Sequence, residues 1–530
     1  MPSFTRRRRT DSANDLLPLT SSAAHSLAHA HHRHSSSSAR ESSSADSTGD
    51  SDDVTSDDEG VAKPRAAAKG TNWLLVGGAI AVFLLIAGIA TYTIISSTSP
   101  SESTGLTSVK RSSTAELASS VSGTTSASSS EKSSSKATAS ATASASTASA
   151  TVKAALATTP SNSTGWLPVE KVRGVNLGSL FIFEPWMASS SWSKLGCSDY
   201  ESEWECIEAL GLDTLQSKFE EHWSSFYSAD DFEEMASYGL NMVRVPLGYW
   251  TVDALIKDDE YFPRGAMKYV KQVVRWAKDA SIFVILDLHG APGSQTSGES
   301  FTGHKVDTPG FYTDENFQRA YDCLTNWTTL AHTDADFSSV VAIHVVNEPK
   351  QDSSLDIAST YYPGAQKAIR DAEAALGIVC TDDGESECLV IQFMDNSWGS
   401  GNPSKHINTT DHIMFDDHNY VQWIVDESDQ TREGYLDYVN SNTRSTDTWP
   451  VIIGEWSLST IGGDDFTPSS DGALEFFQAF AKGSIIAAEK GVGQTFWSWK
   501  TELDSSQWGY KDAVEAGFIP KDLSTLYSSD

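Results

Sequence analysis

Two glutamates stand where this sequence can do acid–base chemistry. Glu348 closes VVAIHVVNEPK (340–350), with Asn347 beside it, and Glu455 lies in PVIIGEWS (450–457). Each follows an apolar, β-rich run. Two carboxylates flanking one bond can cleave a glycosidic linkage, provided one stays protonated while the other stays ionised. Arg244 can keep one of them charged through paired hydrogen bonds, and Tyr420 can donate to the same group. Less cationic surroundings leave the other as general acid. Glu184, His289, His418, Trp423 and Trp497 complete a polar and aromatic set suited to a pyranose, whose flat apolar faces meet rings and whose hydroxyls meet Asn, His and Glu. Trp508 belongs with the aromatics, and Trp499 either joins them or fills the core. A metal reading built on Asp287, His289, Asp417 and His418 lacks ligand-like spacing. The chemistry requires no metal and no cofactor.

The elements that must position these residues are short apolar runs separated by amphipathic stretches. The runs are 173–181, 241–248, 283–290, 340–349, 388–395, 412–420, 450–457 and 493–500. Their apolar character is continuous rather than alternating, as in a parallel sheet buried on both faces. Between them 230–239, 316–327, 364–377, 430–439 and 473–490 have helical spacing, and Pro263 is expected to open another helix. The link 396–411 shows no clear helix. Strict alternation predicts a (β/α)8 TIM barrel, with a doubly wound open sheet as the competing α/β fold. In such a barrel the polar residues gather at the C-terminal ends of the strands. Lys350 beside the acid is expected to point away from the mouth.

The motifs RGVNLG (173–178), FEPW (183–186), RVPLGYW (244–250), DLHGAPGSQ (287–295), NEP (347–349), HNY (418–420), GEWS (454–457) and FWSWKTE (496–502) occur in this order. Together they resemble the fungal exo-1,3-β-glucanases of glycoside hydrolase family 5. The resemblance implies a retaining glucan 1,3-β-glucosidase of the membrane-anchored type, with Glu348 as acid/base and Glu455 as nucleophile. It implies that Arg244 and Tyr420 hold the nucleophile, that Asn347 contacts the sugar 2-hydroxyl, and that His289 and His418 orient the centre. Glu184 and Trp497 would line the terminal-glucose subsite and Trp423 the next one. The loop TSGESFTGHK (296–305) departs from the family pattern, with Phe301 as an aromatic there. Transglycosylation, β-1,6-glucan or glucosylceramide cleavage, and wall-glucan binding without catalysis are the alternatives.

The rest of the chain sets location. Residues 1–72 read as a disordered cytoplasmic tail and 96–165 as a Ser/Thr/Ala-rich extracellular stalk. Between them 73–95 is uncharged and apolar enough for the ~20 residues of a bilayer span. Arg6 to Arg9, Lys63, Arg65 and Lys69 precede that span. They predict a single-pass type II signal anchor in the cell membrane, with the catalytic domain 166–530 on the cell-wall side. Asn162, Asn326 and Asn408 head glycosylation tripeptides. The five cysteines all lie beyond the span, where disulfides persist, and an odd number leaves at least one free or paired between chains. A formal charge of -33 argues against nucleic acid as a partner and fits a neutral polysaccharide such as β-glucan.

Overall fold

A computed structural model describes residues 166–527, apart from 353, 382–385, 408–411, 442–449 and 504. The expected tail, span and stalk lie outside these residues, as do Asn162 and Asn408. Among the described residues no helix is long and apolar enough to cross a membrane. Asn326 is exposed on the helix Asp314–Thr333.

The eight apolar runs become β1 (Val172–Asn176), β2 (Met242–Gly248), β3 (Phe283–Gly290), β4 (Val340–His344), β5 (Val390–Met394), β6 (Ile413–His418), β7 (Val451–Glu455) and β8 (Gly493–Phe496). They pair in chain order and close into a barrel, which excludes the open sheet. All neighbouring pairs, including β1 with β8, are parallel. The helix after Pro263 starts only at Met267, because Gly265 takes a left-handed φ of +77° between them. The link from β5 to β6 holds two short 3-10 turns among its described residues, Asn396–Trp398 and Pro403–Lys405. Disulfides join Cys197 to Cys206 and Cys380 to Cys388, and buried Cys323 is free.

The interior of the barrel is built in layers by the two-residue period of its strands. Met242, Ile285, Ala342, Val390, Met414 and Ile452 form an apolar plug beneath Leu167. Two residues further along the same strands stand Arg244, Asp287, His344, Gln392, Asp416 and Gly454. This second layer is polar yet inaccessible, with Arg244, Asp287, His344, Gln392 and Asp416 all at 0% exposure. Apolar residues on the outward faces of the strands pack against the helices in the main core.

The loop after β1 is tied down from outside. Fully buried Glu203 accepts a hydrogen bond from the Phe183 N–H (2.8 Å), next to Glu184. Burial pushes the Glu203 carboxyl up to about 8, with that hydrogen bond pulling the other way. A folded pKa above the ordinary 4.5 gives a contribution to stability that is complete below about 4.5 and lost as pH rises through about 8. Glu203→Gln keeps an acceptor and cannot ionise. Thermal unfolding of the variant should therefore lose on the order of 3 kcal/mol less than the parent between pH 5 and pH 8. Parallel pH profiles for the two proteins would refute the assignment.

Candidate active site

Arg244 on β2 organises the floor of the site. Its Nη1 donates to Glu455 Oε1 (2.8 Å) and Asn176 Oδ1 (3.0 Å). Its Nη2 donates to Asn347 Oδ1 (2.7 Å) and lies 3.0 Å from Asp287 Oδ2. Asp287 also accepts from His289 Nδ1 (2.7 Å) and lies 2.8 Å from His344 Nδ1. That nitrogen is also 3.2 Å from Arg244 Nη2, so it lies between the guanidinium and the carboxylate. Burial opposes the charge on Asp287, yet Arg244, followed by His289, holds its carboxyl well below the usual range.

The two candidate carboxylates receive different partners. Tyr420 donates its hydroxyl to Glu455 Oε2 (2.8 Å), so Glu455 is held at both oxygens. Burial, then Glu455 and Glu348, raise the Tyr420 hydroxyl well above its ordinary value, which keeps it a neutral donor. Glu348 Oε1 lies 2.6 Å from His418 Nδ1. The same nitrogen is 3.5 Å from Glu455 Oε2. One oxygen of Glu348, one of Glu455 and a ring nitrogen of His418 lie within 4.8 Å of one another. Burial works against a charged His418 ring, but Glu455, Asp416 and Glu348 outweigh it and raise the ring to about 10. The His418 ring therefore keeps its proton through neutral pH, 2.6 Å from Glu348.

Glu348 does not end a strand. β4 stops at His344, four residues short, and Glu348 adopts a φ of +37°. Side chains other than glycine rarely take that conformation, and a following proline disfavours helical geometry as well. Bonds from two other loops hold the turn on either side. Gln295 Nε2 donates to Asn347 O (2.9 Å) and Trp398 Nε1 to Pro349 O (2.8 Å). The Lys350 N–H donates to Gln295 O (2.9 Å). The Lys350 ammonium lies 3.6 Å from Asp352 Oδ2.

The remaining predicted residues fall around this centre. Trp497 is buried, stacks on His289 (5.5 Å between centroids, 9° between planes) and clusters with Tyr420 and Met187. Trp186, Trp423 and Trp508 are half-buried against that cluster. Phe301 sets its edge against His289 at 5.3 Å. Glu184, at 6% exposure, accepts from Trp186 Nε1 (3.0 Å). Burial pushes its carboxyl up to about 8, against the pull of that N–H. Asn347 Nδ2 is buried and has no hydrogen-bond partner, leaving a donor for a ligand hydroxyl. Trp499 resolves to the core. It is fully buried, donates Nε1 to Asp231 Oδ1 (3.0 Å) and packs against Tyr238 and Tyr510.

Sequence reasoning missed Asn176, His344, Gln392 and Asp416. For His344, Gln392 and Asp416 the signal was a polar residue two positions after an apolar plug residue on successive strands, whereas Asn176 follows Gly174 and carries no such mark. Gly454 is part of the same layer. Its N–H donates to Asp416 Oδ1 (2.8 Å), and a Cβ there would overlap that carboxylate. Gly454→Ala should displace Glu455's neighbour, cost about 1–3 kcal/mol of stability and sharply reduce turnover. Unchanged thermal unfolding and activity would contradict this packing.

A closed parallel barrel presenting two carboxylates within reach of one bond, at the C-terminal ends of its strands, has the architecture of a barrel glycoside hydrolase. The profile of Cellulase (glycosyl hydrolase family 5) matches residues 208–503, and the chain belongs to that family of O-glycosyl hydrolases. It is similar to Glucan endo-1,6-beta-glucosidase B of Emericella nidulans, 42% identical over 381 residues that cover 70% of this chain and 90% of the relative. It is also similar to Probable glucan 1,3-beta-glucosidase A of Aspergillus niger, 30% identical over 66% of this chain and 87% of the relative. Among solved structures, rutinosidase from Aspergillus niger shares the fold with a TM-score of 0.53 at 18% identity, over 66% of this chain and 97% of that one. The motif resemblance to exo-1,3-β-glucanases thus corresponds to the weaker of the two sequence likenesses.

Proposed function

We propose that the protein is a retaining endo-β-1,6-glucanase. The observation that carries the mechanism is the pair Glu348 and Glu455, with one oxygen of each within 4.8 Å and unlike partners on the two sides. This proximity suits a double displacement, in which the carboxyl groups sit ~5–5.5 Å apart, rather than an inverting reaction that must admit water between them. Glu455, held by Arg244 and Tyr420, attacks the anomeric carbon. Glu348 protonates the leaving oxygen, with the protonated His418 ring at its Oε1 as the proton store. A glycosyl ester forms on Glu455, and Glu348 then takes a proton from the water that opens it. Asn347 Nδ2 donates to the sugar 2-hydroxyl, and Trp497, Trp423 and Glu184 line the neighbouring sugar positions.

The β-1,6 linkage and internal cleavage are supported by the names of the more similar relatives, 40–42% identical. Exo-action on β-1,3-glucan is the second reading, supported by the 30% relative. Digestion of end-labelled β-1,6- and β-1,3-gluco-oligosaccharides by the full-length protein separates them. Early release of internal fragments from the β-1,6 series, with retained anomeric configuration, is expected. Glucose alone from the β-1,3 series would overturn the linkage, and an inverted product would overturn the mechanism. No hydrolysis of either would favour a wall-binding protein. Residues 73–95 would anchor the chain with the barrel outside the cell, supported by the cationic residues preceding an uncharged span. Protease treatment of intact wall-less cells should then release the barrel, and its full protection would contradict the orientation.

A further inference from the structure

Asp416 lies beneath both cleft carboxylates and touches the support of each. It is fully buried on β6, two residues before His418. Its Oδ1 accepts from the N–H of Gly454, the residue before Glu455 (2.8 Å). Its Oδ2 accepts from Gln392 Nε2 on β5 (2.5 Å) and lies 3.5 Å from His418 Nε2. The other nitrogen of that ring is the one that meets Glu348. We propose that Asp416 is a positioning residue that couples the two halves of the reaction, fixing the backbone that presents Glu455 and holding the proton-bearing His418 ring against Glu348.

The charges facing this pair come from β2, β4, β6, β7 and the turn beyond β4. His418 meets Glu348 from beyond β4, Glu455 from β7 and Asp416 from its own strand. Asp416 faces His344 on β4 at 3.7 Å and feels Arg244 on β2. Gln392 and Gly454 contribute only neutral donors. Burial disfavours charge on Asp416, but His418, followed by His344 and Arg244, keeps its carboxyl below the usual range. A permanent negative charge on the far side of the imidazole strengthens the hold of the His418 ring on the proton it presents to Glu348. Loss of that proton ends general-acid catalysis, so Asp416 sets the alkaline limb of the pH profile.

The inference rests on Glu348 and Glu455 acting as acid/base and nucleophile. Asp416→Asn removes the charge but offers only one acceptor to two donors. The pair Gln392→Glu with Asp416→Asn reverses that hydrogen bond and returns the charge one strand away. In the full-length protein, Asp416→Asn should lower kcat about 10-fold with KM within about twofold, and move the alkaline limb down by about one pH unit. The double variant's limb should fall between that of Asp416→Asn and the parent. If Asp416→Asn does not fold, the double variant decides alone. A limb below the parent's supports the inference, and a folded variant with the parental limb overturns it, whatever its kcat. Should Glu348→Ala and Glu455→Ala stay active, the underlying reading fails. Should they be inactive while the limb stays put, only the role of Asp416 fails.

Discussion

Glu455→Ala should lower hydrolysis of a β-glucan oligosaccharide on the order of 10⁴-fold, and azide should restore turnover with an α-configured product. Removing the carboxylate leaves Arg244 Nη1 and the Tyr420 hydroxyl facing an empty position, since both donate to it in the parent. A small anion fits between them and attacks the anomeric carbon from the face that Glu455 occupied, once, without a second inversion. Glu348→Ala is impaired differently. An aryl glycoside with a good leaving group needs little acid assistance and still forms the ester on Glu455. Azide then opens that ester from the Glu348 side without needing a base, and the product is β-configured. Proton NMR of the two glycosyl azides reads the assignment directly. The opposite pairing of anomers would exchange the two roles, and full activity in either variant would remove that residue from the chemistry. Arg244 stays paired with Asp287 in the Glu455 variant, so the fold should survive the substitution.

Much of the barrel was legible because a parallel strand buried on both faces leaves a continuous apolar run. All eight runs became strands, and the polar residues at their ends converge on one centre. What the runs concealed is the layer below. His344 and Gln392 interrupt apolar sequence without marking a boundary, because their polar groups meet partners inside the barrel rather than solvent. The turn at Glu348 was equally hidden. Its left-handed backbone opposes local preference and is held by Gln295 and Trp398, which come from 52 and 49 residues away in the chain. Trp499 could not be assigned from its run because regular pairing stops at Phe496, and the alternation of faces is lost beyond it. Linkage was least legible. The shared motifs sit around the two carboxylates, whereas the loop 296–305 departs from the pattern.

Arg244→Met should destabilise the fold by about 3–5 kcal/mol and abolish activity, the largest stability effect expected for a single substitution in the site. The cost comes less from the missing hydrogen bonds than from the charge that stays behind. Asp287, at 0% exposure, keeps His289 and His344 but loses the guanidinium that compensates its charge. Asn176 Oδ1 and Asn347 Oδ1 lose a charged donor as well. The pH dependence has a definite sign. In the parent, the folded Asp287 pKa is depressed, so its contribution is complete above the ordinary 3.8 and is lost as pH falls toward the folded value. Without Arg244 that depression is relieved, so the stability gap between variant and parent should narrow below about pH 4. Adding Asp287→Asn removes the stranded charge, and the double variant should regain stability with a coupling energy on the order of 2 kcal/mol. Activity should not return, because Glu455 still lacks the guanidinium that holds its Oε1. Denaturant unfolding of the four proteins at neutral and acid pH measures both effects. Additive losses would show that Arg244 serves Glu455 alone, and a recovery of turnover in the double variant would show that Glu455 does not depend on it.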